Sequence, residues 1–261
     1  MLHVRGARLA CERSGVGTPL VWGHGLTSSR ELDGEVVPID WHRVGTVAEV
    51  IRYDARGHGL SDTTDELADY GWDRLALDQL GLADALGVDR YVAAGASMGA
   101  GTALHAVVAA PERVSGLVLV IPPTGWETRA AQRELYLSRA DVIEHGDLET
   151  VIAAARTIPP PDPFGDEWHE RFATKLRAAD RRRTSHVLRG AATADLPSPE
   201  AIAGIAVPTV ILAWSGDPGH PLSTAERLAE LIVGARLVVA RTRADLERWT
   251  DEVIDIVGDV R

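Results

Sequence analysis

Residues 114–121, Val-Ser-Gly-Leu-Val-Leu-Val-Ile, constrain the fold more than any other stretch of this chain. A strand with one wet face alternates apolar and polar side chains, and this run does not. It reads as a strand covered on both faces, the condition of a parallel sheet sandwiched by helices. Shorter strand patterns at 9–12, 20–22, 47–53 and 91–94 precede it. Residues 72–86 carry Leu75, Leu82 and Leu86 among acids and end at Gly87, an amphipathic helix with its stop. A second helical run, 100–110, ends at Pro111. Strand and helix patterns resume after a gap, at 209–214, 224–232, 236–240 and 244–257. This alternation predicts an α/β fold with a doubly wound, mostly parallel sheet and right-handed crossovers.

The gap itself is helical. Pro122-Pro123 marks a change, and helix patterns follow at 129–145, 148–157, 167–179 and 182–194, with no strand between them. The prolines at 159–161 and 163 divide the region in two. An insertion placed where the strands end predicts a helical cap, 122–205, over a core made of 1–121 and 206–261.

Gly95-Ala96-Ser97-Met98-Gly99 lies where an apolar run meets a helical one. A serine in Gly-x-Ser-x-Gly at such a junction sits on a turn too tight for side chains at the flanking positions. Its hydroxyl stands above the sheet beside the N–H groups of the helix start, the geometry of an activated nucleophile.

Composition narrows the function classes. A net charge of -11 repels phosphate backbones and argues against a nucleic-acid partner. Cys11 is the single cysteine and cannot form an internal disulfide. No segment has the roughly 20 apolar residues of a membrane span, and residues 1–13 lack the apolar core of a signal peptide. The expectation is a cytoplasmic protein with a small-molecule substrate and no membrane partner. Histidine and cysteine show no metal-ligand spacing, so neither metal nor cofactor is expected. Homo-oligomerisation is left open.

Taken in order, His24-Gly25-Leu26, the segment Tyr53-Asp54-Ala55-Arg56-Gly57-His58-Gly59-Leu60-Ser61, the Ser97 pentapeptide and Gly216-Asp217 resemble the α/β-hydrolase superfamily. The resemblance covers most of the chain outside the helical insertion. It implies Ser97 as nucleophile, the N–H groups of Leu26 and Met98 as an oxyanion hole, and Asp217 as the acid of a catalytic triad. Residues 54–61 read as structural, with Arg56 and His58 satisfying local carbonyls and the carboxylate of Asp54.

The chain departs from that pattern at the base. The superfamily places its histidine after the last strand, and here that stretch is Arg241-Thr242-Arg243-Ala244-Asp245-Leu246. Asp245 is a weak base unless desolvated. The alternatives are His220 in Asp217-Pro218-Gly219-His220-Pro221, a cap histidine (His145, His169 or His186), His24, or no histidine at all. With His220 as base the reading is a hydrolase of a small carboxylic ester or lactone. Without a base it is a pseudo-hydrolase, or an isomerase or cyclase using the same pocket. Gly25 and Trp126 are expected to contact the substrate, with Trp168, Tyr136 and Phe164 as further cavity aromatics. Arg181-Arg182-Arg183, Arg241 and Arg243 are candidates for binding an anionic group.

Overall fold

The computed structural model describes residues 1–260. The apolar run forms β7 (Val114–Val120), with all seven residues buried. Leu117 and Leu119 enter one core cluster and Val118 and Val120 the other, so the strand alternates between two covered faces.

The chain begins with a hairpin, β1 (Leu2–Val4) and β2 (Ala7–Leu9), turned by Arg5-Gly6, both at positive φ. β3 (Cys11–Gly15), β4 (Thr18–Gly23), α1 (Trp41–Val44), β5 (Ala48–Tyr53), α2 (Trp72–Ala85), β6 (Tyr91–Ala96) and α3 (Met98–Ala109) lead to β7. Helices α4 (Arg129–His145), α5 (Leu148–Arg156), α6 (Glu167–Ala178), α7 (Arg181–Ala191) and α8 (Pro199–Ala203) follow. The chain closes with β8 (Thr209–Trp214), α9 (Leu222–Leu231), β9 (Arg236–Ala240), α10 (Arg243–Glu247) and α11 (Trp249–Asp259). No described helix is long and apolar enough to cross a membrane.

In the described residues the main sheet has seven strands in the order β3-β5-β4-β6-β7-β8-β9. Only the β3–β5 pair is antiparallel. Connections run outward in opposite senses from β4 and β6, which makes the gap beyond their carboxyl ends the switch point where open α/β sheets bind ligands. Trp72, Leu75 and Leu82 of α2 and Leu104 of α3 cover one face, and Trp249, Val253 and Val257 of α11 cover the other. Helices α4 to α7 have a cluster of their own, including Tyr136, Ile143, Ile152, Leu176 and Leu188.

Three departures from the sequence reading have local causes. The strand expected at 9–12 is divided, because Ala10 separates the hairpin from the edge strand β3. The helix expected at 244–257 is two helices, joined at Arg248. α8 went unread, although Ser198-Pro199 opens it with a serine cap, Oγ accepting from the Ala201 N–H at 3.3 Å.

Candidate active site

Ser97 joins β6, the middle strand of the main sheet, to α3. Its φ is 51°, a left-handed conformation that a non-glycine residue keeps only when its surroundings enforce it. Its N–H donates to the Val120 carbonyl at 2.9 Å, and its own carbonyl accepts from the Gly101 N–H at 3.0 Å. The flanking glycines make the bend fit. A Cβ on Gly95 would lie 2.5 Å from the Gly99 carbonyl carbon, and one on Gly99 would collide with the Gly23 carbonyl at the end of β4. Ser97 is thus wedged against the neighbouring strand, at the switch point.

His220 meets it from the β8–α9 loop. Its Nε2 is 2.8 Å from Ser97 Oγ, and its Nδ1 is 2.7 Å from Asp217 Oδ2. The same Oδ2 accepts from Trp214 Nε1–H at 2.9 Å, and Oδ1 accepts from the Gly219 N–H at 2.9 Å. Burial alone would raise the Asp217 carboxyl, but the His220 charge and these three hydrogen bonds outweigh it and hold the group down at about 2. The ionised Asp217 accepts the Nδ1–H of His220, and with the ring's proton held there Nε2 faces the Ser97 hydroxyl as an acceptor.

The stretch after β9, where the resemblance would put a base, does other work. Asp245 Oδ2 accepts from the N–H of Arg241 and of Thr242 and from Thr242 Oγ1, capping α10. These bonds, the Arg241 N–H first, keep its carboxyl below the usual range, so it is no proton acceptor near neutral pH. His169 lines the cavity but its Nε2 lies 2.9 Å from the Ile158 carbonyl. His145 ends α4, and neither it nor His186 lines the cavity. His24 is buried, with Nδ1 on the Gly25 carbonyl at 2.8 Å and Nε2 accepting from the Ala55 N–H at 3.0 Å.

His24 is one of three buried groups beneath the loop that carries Leu26. His58 Nε2 accepts from the Thr27 N–H at 3.3 Å, and its ring meets His24 edge to face at 4.9 Å. Asp33 Oδ2 accepts from Trp22 Nε1–H at 2.6 Å. Thr27 has a φ of 59°, and the Ser28 N–H closes the turn onto the Gly25 carbonyl at 3.1 Å. Among the described residues no acceptor engages the N–H of Leu26 or of Met98, the first residue of α3. A Cβ on Gly25 would come 3.7 Å from Ser97 Cβ, so the loop passes directly beside the serine.

A cavity of about 320 Å³ lies over this group. Gly25, Leu26, Ser97, Asp217 and His220 line it from the sheet side, and Tyr136, Trp168 and Phe172 from the helices. An adjoining cleft of about 1010 Å³ shares Thr27, Ser28, Leu32 and Val36 with it but does not reach Ser97.

Trp126 corrects the sequence reading. It lines neither space: its Nε1–H donates to the Pro197 carbonyl at 3.0 Å and its ring packs on the main core. Phe164 lines the adjoining cleft and packs on Trp168 and Trp214. The arginine run is tied into the fold, and of the three only Arg183 lines the adjoining cleft. Arg181 bonds the carbonyls of Ile143 and Gly146, Arg182 pairs with Asp65, and Arg183 bonds the carbonyls of Gly59 and Ser61. Arg243 pairs with Glu167 at 2.8 Å and lines the adjoining cleft, and neither it nor Arg241 lines the cavity over Ser97. Arg56 serves not Asp54 but Asp78, as a buried two-pronged pair with both bonds at 2.9 Å. Trp214 and Gly219, which complete the shell of Asp217, were not singled out. The tryptophan at a strand end was hidden inside an apolar run.

A serine at a strand-to-helix bend, with an acid and a histidine beyond a later strand of a parallel sheet, defines a class of α/β protein. The chain belongs to the alpha/beta hydrolase family, whose model matches residues 20–255. It is 27% identical over 192 residues to 3-oxoadipate enol-lactonase 1 of Acinetobacter baylyi, covering 70% of this chain and 66% of that protein. It is 38% identical over 117 residues to N-formylmaleamate deformylase of Pseudomonas putida, covering 45% of this chain and 42% of the relative. The chain therefore matches less than two thirds of either relative's length. Among solved structures, a hydrolase from Pseudomonas aeruginosa superposes with a TM-score of 0.79 at 26% identity, covering 99% of this chain and 97% of that one. An enol-lactonase from Burkholderia xenovorans has the same fold, with a TM-score of 0.78 at 23% identity and 98% coverage of both chains.

Proposed function

We propose that the protein hydrolyses a small carboxylic ester or lactone through an acyl-enzyme on Ser97. The observation that carries this reading is the 2.8 Å contact between His220 Nε2 and Ser97 Oγ, with Asp217 behind the ring at 2.7 Å. Ser97 Oγ attacks the carbonyl carbon as His220 Nε2 takes its proton, and the carbonyl electrons move onto oxygen. The N–H groups of Leu26 and Met98 receive that oxyanion, each worth about 3 kcal/mol in the transition state. As the intermediate collapses, the C–O bond to the leaving alkoxide breaks and Nε2 protonates it. In a lactone that alcohol stays tethered to the acyl group. Water then attacks the acyl-enzyme by the same proton path and restores Ser97. Asp217 keeps the proton of the ring on Nδ1 and stabilises the imidazolium formed in each step.

Relatives named as an enol-lactonase and a deformylase support acyl-group hydrolysis. The helices of 122–205 act as the cap that keeps bulk water from the acyl-enzyme, consistent with Tyr136, Trp168 and Phe172 lining the cavity. The alternative, a pocket that works without acylation, drew its force from the lack of a base after β9. The His220 contact counts against it. A short-chain chromogenic ester and a fluorophosphonate probe test the proposal. Wild type is expected to hydrolyse the ester and label at Ser97, and Ser97→Ala to do neither. Equal ester rates for the two proteins would end it.

A further inference from the structure

One face of α4 carries polar groups into the cavity. Gln132, Leu135, Tyr136 and Arg139 recur at helical spacing and all four line it. Arg139 is half-buried and makes no hydrogen bond or ion pair among the described residues. Helical neighbours offer none, since Leu135, Tyr136, Val142 and Ile143 occupy the positions three and four away. The acids lining the same cavity are already engaged, Asp33 by Trp22 and Asp217 by His220 and Trp214. Burial pushes the Arg139 guanidinium below its ordinary value, and the Tyr136 phenol is the one group that opposes this. The side-chain amide of Gln132, only 9% exposed, likewise has no partner among the described residues.

A cation withdrawn from water with no counter-ion is costly, and arginine cannot escape the cost by deprotonating. Five N–H donors in a planar fork match one ligand class best, a carboxylate gripped by two parallel bonds. The overall charge of -11 repels such a ligand at long range, so a specific cationic contact is what would hold it. Arg171 and Lys175 of α6 line the same cavity and add positive charge, each with an interaction of its own.

We propose that Arg139, with Gln132 beside it, binds a free carboxylate on the substrate, making this a site for esters or lactones of dicarboxylic acids. The substrate class rests on the hydrolytic reading of Ser97, but the anion site can be tested apart from it. The protein with Ser97→Ala is titrated by calorimetry with monomethyl glutarate and with dimethyl glutarate, which differ by one charge. The mono-ester is expected to bind at least about tenfold more tightly, the range of a charge-assisted contact. Adding Arg139→Met is expected to bring the ratio near one, Arg139→Lys to restore part of it, and Gln132→Leu to reduce it about threefold. Circular dichroism checks that each variant is folded. Equal binding of the two esters, binding of neither, or discrimination that survives Arg139→Met overturns the proposal and leaves the fluorophosphonate test of Ser97 untouched. Discrimination that depends on Arg139 in a protein whose Ser97 neither labels nor turns over upholds the anion site and overturns the hydrolytic reading.

Discussion

Asp217 and His220 lie three residues apart on one loop, and their side chains meet at 2.7 Å. The resemblance noted in the sequence places the histidine after the last strand, where this chain has a helix cap at Thr242 and Asp245. Here one short turn after β8 supplies both groups.

Removing either ring or carboxylate should abolish turnover without unfolding the protein. His220→Ala and Asp217→Asn are each expected to lower kcat about 10⁴-fold, the second because the ring can then adopt the wrong tautomer. Trp214→Phe deletes one donor to Asp217 and is expected to cost about tenfold, as the loss of about one hydrogen bond to a charged group would. Steady-state kinetics on the chromogenic ester, with unchanged circular dichroism, checks all three.

The two buried imidazoles under the Leu26 loop set an acid limit on stability. Burial holds His24 at about 4 and His58 at about 3, against 6.5 for the free side chain. Between those values and 6.5 the unfolded chain binds protons that the native protein does not. Their contribution to stability is therefore full above pH 6.5 and falls as the pH drops toward 4, by up to about 1.4 kcal/mol per unit for each ring, while Asp33, raised by burial to about 6, offsets part of this between pH 6 and 3.8. Urea unfolding at pH 7 and pH 5 should show the loss, and His58→Asn should reduce it.

Gly99→Ala is a packing test of the Ser97 bend. The added methyl would land on the Gly23 carbonyl, a backbone atom at a strand end that has little room to move. A loss of about 3 kcal/mol is expected, seen as a lower urea midpoint.

The Arg56–Asp78 pair is 5% and 1% exposed and joins the Gly57–Gly59 loop to α2. Asp78→Asn strands a buried guanidinium and is expected to cost about 3–5 kcal/mol. Replacing both, as Arg56→Met with Asp78→Leu, should recover part of that loss in the same unfolding assay, the remainder reflecting Arg5, whose guanidinium also donates to Asp78 Oδ1 at 2.8 Å.

Sheet strands were legible where burial on both faces wrote a continuous apolar run. The bounds of 209–214 read from the sequence are those of the fully buried β8, and those of 236–240 are those of β9, a half-buried edge strand. Ser97 was legible because its bend demands two glycines. His220 remained one of several alternatives, because nothing along the sequence says that the turn Pro218–Gly219 aims a ring back across the sheet. Arg139 was hidden for a related reason. Its meaning lies in the partners it lacks, and a sequence displays neighbours along a helix but not the space opposite them. Trp126 misled in the other direction, an aromatic in the right region whose ring is spent on the core.

Because acid and imidazole are anchored within a single turn, their spacing is governed by a few covalent links and not by how two remote segments dock. Neither group is carried by the segment from Arg241 onward, so substitution there leaves the acid and the ring on the same loop. The stretch beyond Ala240 is left to seal the underside through Trp249 and Val253 and to lend Arg243, Leu246 and Glu247 to the wall of the adjoining cleft.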